Sequence, residues 1–214
     1  MTTPVLIAGL PGRMAAETAE LVADAEGFAL LPQAITSPAH DSQSAAIGSQ
    51  TLALVGNDRL AELDLPAGTM AIDYTTPDAA LANVAWYAAH DLPFVMGTTG
   101  FDAAEARRLV EESGVSAVIA PNMAVPIVLL QAAGRYLATE FPGALAGAEH
   151  TIRESHQATK RDTSGTARAM LGPLNSLGLP GDEAGIEKVR DPQRQRDELG
   201  VPEQHLGGHA FHRY

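Results

Sequence analysis

Short apolar runs alternate with stretches of helical periodicity through the first 140 residues, and this alternation constrains the fold most. Each run is bounded by glycine, proline or a polar turn, and strands that are apolar throughout are typical of a parallel sheet covered on both faces. The pattern therefore predicts an α/β fold with a doubly wound parallel sheet. The predicted strands are residues 5–8, 28–35, 51–55, 70–73, 93–96 and 117–119, and the predicted helices are residues 12–25, 77–90, 103–113 and 123–141.

The alternation ends near residue 142, where a Pro-Gly pair precedes a different pattern. We therefore expect two domains, the doubly wound domain over residues 1–142 and a smaller α+β domain over residues 143–214. The smaller domain is predicted to contain strands at residues 145–154, 186–190 and 207–214, a helix at residues 164–177 and an irregular polar segment at residues 191–203.

The charge of the chain is distributed unevenly between these two parts. The formal net charge is −12, which argues against nucleic acid as a partner. Residues 1–142 contain 5 Lys and Arg against 16 Asp and Glu, whereas residues 143–214 contain 9 against 10 and five of the seven histidines. A local cationic region in an acidic protein suits an anionic small molecule; the alternative is a salt-bridged, solvated surface.

Several classes of protein are disfavoured by what the chain lacks. Without cysteine it has no disulfide, no thiolate nucleophile and no cysteine-bound zinc. The apolar stretch of residues 117–134 is interrupted by two prolines, Asn122 and Gln131, which argues against a membrane span. No basic residue precedes the apolar run of residues 5–10, which argues against a secretory signal. We therefore expect a cytoplasmic protein.

A glycine turn follows the first predicted strand and opens the first predicted helix. Two glycines three positions apart let the backbone turn tightly and approach a pyrophosphate at a helix N-terminus, as in Rossmann-like dinucleotide-binding domains. Pro11 stands where the usual fingerprint has another glycine, so the motif alone is a weak signal. The residues of this turn expected to bind a cofactor are Gly9, Gly12, Arg13 and Met14.

The end of the second predicted strand bears on the choice between NADH and NADPH. An acid at this place normally holds the ribose hydroxyls and repels a 2′-phosphate. Here the sequence reads Ile35-Thr36-Ser37-Pro38, without an acid, and Arg13 lies in the first turn. Thr36 is therefore another candidate cofactor-binding residue, and we expect NADPH as the cofactor, with NADH as an alternative donor. The competing interpretation is an ordinary polar loop.

Three later loops follow strands of the predicted sheet. Ligands of doubly wound sheets lie beyond the carboxyl ends of the strands, so these loops are suited to a nicotinamide ring and a substrate. Each loop alone would be an ordinary turn, and the three together are a stronger indication of a ligand-binding edge. Their candidate cofactor-binding residues are Asp73, Tyr74, Thr75, Gly97, Thr98, Thr99, Ala120, Pro121, Asn122 and Met123.

The segment of residues 154–167, ESHQATKRDTSGTA, closely resembles the signature of 4-hydroxy-tetrahydrodipicolinate reductases, also called dihydrodipicolinate reductases. The common bacterial form has two adjacent histidines and a proline before Ser-Gly-Thr. This chain has a single His156 followed by Gln157 and lacks the proline, as in the plant-type branch. Residues 95–101, 190–192, 200–203 and 208–212 are similar to family sequence as well, so the resemblance covers essentially the whole chain.

The resemblance implies NAD(P)H-dependent reduction of a small cyclic dicarboxylate in the diaminopimelate route to lysine. It also implies a homo-oligomer built from substrate-domain sheets. Family members continue well beyond the position of Tyr214, so the resemblance implies a substrate domain that is incomplete at its C-terminus, and it leaves the oligomeric state of this chain open. An incomplete sheet is expected to lower stability by exposing an unpaired edge.

The same motif contains residue types that this reduction needs. Histidine is a common general acid, so His156 is the candidate proton donor, and Lys160 supplies a compact positive charge for the substrate. Ser164, Gly165 and Thr166 precede a predicted helix, whose N-terminus can receive a carboxylate. Taken singly, these residues are more often a structural histidine, a solvated lysine and an N-cap. The resemblance is what assigns them their roles.

Two alternatives remain at this point. The chain is either a reductase or a catalytically silent dinucleotide-binding protein with an incomplete substrate domain, and turnover distinguishes the two. A Rossmann dehydrogenase acting on an unrelated acid is disfavoured by the segment between Lys160 and Thr166. His209 and His212 lie three apart, but no third ligand is spaced to join them, so we expect no metal site.

Overall fold

A computed structural model describes residues 2–160 and 163–214. These residues form two compact units, Met1–Pro121 and Asn122–Tyr214. Among the described residues, no helix has both the length and the apolar character needed to cross a membrane.

The first unit is built on a seven-stranded sheet with the strand order β3-β4-β2-β1-β5-β6-β7. All neighbouring strands are parallel except β3, which pairs antiparallel with β4. The strands are β1 (Thr3–Ala8), β2 (Phe28–Thr36), β3 (Ser44–Ile47), β4 (Gln50–Gly56), β5 (Met70–Asp73), β6 (Phe94–Met96) and β7 (Ala117–Ile119), and the helices are α1 (Arg13–Asp24), α2 (Pro77–Ala89) and α3 (Ala103–Ser113). The predicted doubly wound, Rossmann-like sheet is confirmed.

The sheet is buried on both faces, as its apolar strands predict. Along β1, Leu6 and Ala8 belong to one core cluster, whereas Val5 and Ile7 belong to another. Alternate side chains of a strand point to opposite faces, so the two clusters lie on opposite sides of the sheet. This explains why the run of residues 5–8 contains no polar position.

The second unit combines three helices with a three-stranded sheet of order β10-β8-β9. Strand β10 is antiparallel to β8, and β9 is parallel to β8. The elements are α4 (Val125–Glu140), β8 (Ile152–His156), α5 (Gly165–Ser176), β9 (Ile186–Val189), α6 (Pro192–Leu199) and β10 (Ala210–Arg213). The predicted smaller α+β domain is therefore observed.

Two sequence predictions for this unit were wrong. The segment expected to be irregular contains α6, which begins after an Asp191 side chain that accepts a hydrogen bond from the Arg194 N–H and ends at a left-handed Gly200. The strand expected from residue 145 begins only at Ile152, because the backbone before it forms turns.

The boundary between the units differs from the expected position near residue 142. Helix α4 packs against α5, with Gly134 of α4 next to Met170 and Pro173. The contacts of the chain therefore divide between Pro121 and Asn122, before α4 rather than after it. The charge change near residue 142 does not coincide with this division of packing.

Candidate functional site

The first unit has a cleft at the carboxyl ends of β1, β2 and β5. Strand order reverses between β1 and β5, and ligands of doubly wound sheets bind at such a switch point. The cleft has a volume of about 360 Å³, within the range of small-molecule sites. It is lined by Gly9, Leu10, Pro11, Gly12, Thr36, Ser37, His40, Tyr74, Thr75, Thr76 and Ala79.

The two glycines of the turn are both required by its geometry. Gly9 has a φ of +112°, and a Cβ atom there would lie 2.5 Å from the carbonyl oxygen of Tyr74. The Gly12 N–H donates to the Gly9 carbonyl over 2.8 Å, and a Cβ on Gly12 would lie 2.7 Å from that oxygen. The turn therefore has no room for side chains, which is what the approach of a pyrophosphate to this backbone requires.

Other predicted cofactor residues around this turn differ in their placement. Thr36 lines the cleft, but its side chain is buried and its hydroxyl donates to the carbonyl of Leu10. Arg13 is exposed and pairs with Glu17, and Met14 is exposed; neither lines the cleft. His40 does line it and was not predicted, because nothing in its local sequence distinguishes it.

The loops after β5 and β6 pack closely together. The ring of Tyr74 lies directly against Gly97, where any side chain would collide with it. The Thr98 hydroxyl donates to the Thr75 carbonyl over 3.0 Å, whereas Thr99 is exposed. The structure thus brings together four of the predicted residues, Tyr74, Thr75, Gly97 and Thr98.

Asp73 was expected to contact the cofactor, and its placement argues against direct contact. Its side chain is fully buried and does not line the cleft. The carboxylate accepts hydrogen bonds from Thr75, Asn83 and Tyr87 instead. The assignment of Asp73 as a cofactor-binding residue stays a prediction, and this placement disfavours it.

The loop after β7 is divided between the units. The Ala120 N–H donates to the Met96 carbonyl over 3.1 Å, and Pro121, the last residue of the first unit, is exposed. Asn122 and the exposed Met123 belong to the second unit. The Asn122 side-chain amide donates to the hydroxyl of Thr166 over 2.9 Å, so a predicted cofactor residue meets a predicted substrate residue.

A buried ion pair organises the second unit around His156. The Glu154 carboxylate is fully buried and accepts hydrogen bonds from His156 Nδ1 over 2.6 Å and from the Arg190 guanidinium over 2.6 and 3.0 Å. Burial alone would raise the pKa of Glu154, but the hydrogen bonds from His156 and Arg190 overcome this effect and lower the pKa to about 2. Glu154 is therefore ionised at neutral pH, and His156 Nδ1 must carry a proton to bond with it.

Arg190 also links His156 to the predicted lysine. Its Nε–H donates to the backbone carbonyl of Lys160 over 2.8 Å, so one guanidinium holds both Glu154 and the loop that carries Lys160. Gln195, fully buried on α6, donates to the carbonyl of His156 over 2.8 Å. Residues 161 and 162, within the motif, lie outside the described part of the chain.

Ser164, the first residue of the Ser-Gly-Thr motif, meets a second histidine. Its hydroxyl is 2.7 Å from His212 Nε2, and the ring of His212 is edge-on to that of His156 with 5.5 Å between centroids. Burial, together with the neighbouring His156, lowers the pKa of His212 to about 4, so His212 is neutral at pH 7. Gly165 and Thr166 follow in the first turn of α5.

His209 and His212 do not share a ligand position. His209 Nε2 is 2.8 Å from the hydroxyl of buried Ser155, whereas His212 contacts Ser164. Within residues 2–160 and 163–214, no group of three or more His, Cys, Asp or Glu side chains is arranged to hold a metal ion.

Comparison with known proteins shows the family to which the chain belongs. The family model described as dihydrodipicolinate reductase, N-terminus, matches residues 3–123, which is more than half of the chain. The chain belongs to the dihydrodipicolinate reductase family. The resemblance predicted from residues 154–167 is confirmed.

Curated members of the family match the chain along nearly its whole length. The probable 4-hydroxy-tetrahydrodipicolinate reductase 2 of Oryza sativa subsp. japonica, a chloroplastic protein, is 38% identical over 99% of this chain and 66% of its own length. The 4-hydroxy-tetrahydrodipicolinate reductase of Limosilactobacillus fermentum is 32% identical over 87% of this chain and 70% of its own length. The chain spans 61–66% of the length of its plant relatives from rice and Arabidopsis thaliana.

A solved structure of the family shows the same fold. The dipicolinate-bound dihydrodipicolinate reductase of Paenisporosarcina sp. TG-14 has a TM-score of 0.56 and 20% identity, covering 90% of this chain and 80% of that one. At this identity the likeness supports the fold alone.

Several polar residues of the second unit were missed as site residues. Glu154 and Arg190 lie in segments that resemble the family, and His212 lies in another. Arg190 contacts Glu154 and the predicted Lys160, which lie 36 and 30 positions away, and His212 contacts the predicted Ser164, 48 positions away. These contacts depend on the pairing of β8 with β9 and β10.

The buried His212 predicts how stability depends on pH. Its pKa is about 4 in the folded protein and 6.5 in an unfolded chain, so its contribution to stability is complete above pH 6.5 and is lost as pH falls towards 4. His212→Gln is therefore expected to lose less stability than wild type between pH 7 and 4.5, as measured by urea unfolding. The exposed His205→Gln serves as the control, and an equal loss in wild type and His212→Gln would contradict the assignment.

Proposed function

We propose that this chain catalyses the NADPH-dependent reduction of 4-hydroxy-tetrahydrodipicolinate in the diaminopimelate route to lysine. The observation that carries the proposal is the cluster of His156, Glu154 and Arg190 beside the Ser-Gly-Thr turn. The relatives named above are 4-hydroxy-tetrahydrodipicolinate reductases, which gives no support to a catalytically silent protein.

The glycine turn would hold the nucleotide. The backbone of Gly9 and Gly12 leaves open the space that a pyrophosphate needs, and Tyr74 and Thr75 form another wall of the same cleft. A bound nicotinamide nucleotide supplies the hydride. The cleft is formed within the first unit, so substitutions of His156 and of its partners in the second unit are expected to leave nucleotide affinity unchanged.

His156 would supply the proton. Ionised Glu154 accepts the Nδ1–H, which fixes the orientation of the ring and leaves Nε2 to hold the proton that is transferred. Arg190 keeps Glu154 ionised and in place through its two hydrogen bonds. The neutral His212 next to His156 adds no competing positive charge.

The two carboxylates of the substrate need positive partners. The first turn of α5 offers backbone N–H groups at a helix N-terminus, and the Thr166 hydroxyl, which accepts from Asn122, retains its own proton to donate. Lys160 supplies a point charge suited to a carboxylate. These groups explain why a dicarboxylate, rather than a nucleic acid, is the proposed partner of an acidic chain.

A spectrophotometric assay of NADPH oxidation tests the proposal. The substrate is generated freshly from its lysine-pathway precursors, and the signal must require protein, nucleotide and substrate together. Turnover supports a reductase. Binding of NADPH without turnover would favour the silent alternative, and no binding would contradict the proposed nucleotide site.

We also propose that NADPH binds at least as tightly as NADH. The end of β2 places Thr36, Ser37 and His40 in the cleft, and the first acid beyond the strand, Asp41, instead accepts from the Gly56 N–H and pairs with Arg59. Among the described residues, no carboxylate lines the cleft where it would repel a 2′-phosphate. Fluorescence titration with both nucleotides measures the preference. A preference for NADH above tenfold, about 1.4 kcal/mol, would contradict it.

A further inference from the structure

Asp73 is a buried carboxylate at the end of β5. Its Oδ1 accepts from the Thr75 N–H over 2.8 Å and from the Thr75 hydroxyl over 2.6 Å. Its Oδ2 accepts from the Asn83 amide over 2.9 Å and from the Tyr87 hydroxyl over 2.8 Å. A buried carboxylate remains tolerable only where several donors replace the water it has lost, so these groups form one coupled network.

This network connects two loops at the cleft. The hydroxyl of Thr98, in the loop after β6, donates to the Thr75 carbonyl over 3.0 Å and lies 3.4 Å from Asp73 Oδ1. Thr75 and its neighbour Tyr74 line the cleft, and the Tyr74 carbonyl packs against Gly9 of the glycine turn. The position of Thr75 is therefore fixed by two neighbours. Asp73 accepts from its N–H and hydroxyl, and Thr98 donates to its carbonyl.

The other end of the network is in α2, away from the cleft. Asn83 and Tyr87 are fully buried on this helix, and neither lines the cleft. Burial, reinforced by the negative charge of Asp73, raises the pKa of Tyr87 well above its ordinary value. The Tyr87 hydroxyl therefore stays protonated and donates to Asp73 across the working pH range.

We propose that Asp73 and Tyr87 form a positioning network that fixes the loops after β5 and β6 in the conformation that binds the nucleotide. The inference rests on the proposed function, because the ligand of the cleft is the nicotinamide nucleotide proposed above. Neither residue touches the ligand. Asp73 acts through Thr75 and Thr98, and Tyr87 acts through Asp73.

Tyr87→Phe tests the network because it removes only the distal hydroxyl. Loss of this donor is expected to raise the Kd for NADPH by about 3- to 30-fold, the range typical of residues coupled to a distant site. It is also expected to speed hydrogen exchange of the Thr75 amide in the nucleotide-free protein, because the acceptor of that amide is less firmly held. Both measurements are made well below the melting temperature of each variant.

Trp86→Phe is the matched control. Trp86 neighbours Tyr87 on α2 and packs against the same core, but it makes no hydrogen bond to Asp73 among the described contacts. It is expected to lower the melting temperature while leaving the Kd for NADPH and the exchange of the Thr75 amide unchanged. If Tyr87→Phe folds poorly, Asn83→Ala, which removes the other α2 donor to Asp73, compared with Val84→Ala on the same buried helix gives the same contrast.

The outcomes separate this inference from the proposed function. If wild type binds and oxidises NADPH and Tyr87→Phe lowers only the melting temperature, the positioning network is wrong and the proposed function stands. If wild type binds no nicotinamide nucleotide, the proposed function and this inference both fail. A raised Kd in Tyr87→Phe and Asn83→Ala, with Trp86→Phe and Val84→Ala close to wild type, establishes the network.

Discussion

Replacement of His156 by glutamine is expected to lower turnover by about 10²–10⁴-fold while leaving the Kd for NADPH unchanged. Glutamine can still donate to Glu154, but it cannot carry and release the transferred proton. The nucleotide cleft is formed by the first unit, whereas His156 belongs to the second. Steady-state NADPH oxidation measures turnover, and fluorescence titration measures Kd.

The exposed His205→Gln is the control for this substitution, since it removes a histidine of the same unit outside the Glu154 ion pair. It is expected to turn over as wild type does. Near-normal turnover of His156→Gln would mean that the proton comes from water or another residue, and the assignment of His156 would be wrong.

Gly12→Val is expected to abolish binding of both NADPH and NADH. A Cβ on Gly12 already lies 2.7 Å from the Gly9 carbonyl, so the branched side chain must displace the turn or fill the space needed by the pyrophosphate. Fluorescence titration measures the loss, and the melting temperature shows whether the fold persists.

Gly207→Val controls for the added bulk, because a Cβ on Gly207 meets no atom within 4 Å. We expect it to bind NADPH as wild type does. Retained binding by folded Gly12→Val would show that the nucleotide does not use this turn.

The strands of the first unit were predictable because a doubly covered parallel strand requires an uninterrupted apolar run. Edge strand β3 (Ser44–Ile47) was not, since three of its four residues are Ser or Ala and it has no apolar run of its own, although it pairs with the adjacent β4 in a hairpin. Helix α6 was not predicted, for a different reason. Its sequence, PQRQRDEL, has no apolar stripe, and its ends and its Arg194–Glu198 ion pair stabilise it instead.

The candidate site was predictable where its residues are adjacent in sequence, as in the glycine turn and the motif around His156. Glu154 and Arg190 become partners only because β8 and β9 lie side by side. Asp73 is the opposite case, a residue that the sequence assigns to the cofactor and whose side chain the structure buries. An acid at the end of a strand looks like a ligand in the sequence, and only its burial and its hydrogen bonds from Thr75, Asn83 and Tyr87 lead to the proposal that it supports the loop instead.

The most direct test of the proposed reductase is a single-turnover experiment with the protein in excess over NADPH and freshly generated 4-hydroxy-tetrahydrodipicolinate. We expect oxidised nucleotide and reduced cyclic dicarboxylate to appear in equal amounts and at the same rate. Both products are quantified by mass spectrometry. We also expect that neither product forms in His156→Gln on the timescale of the wild-type reaction. Stable NADPH beside unreduced substrate, with the nucleotide shown to be bound, would contradict the account.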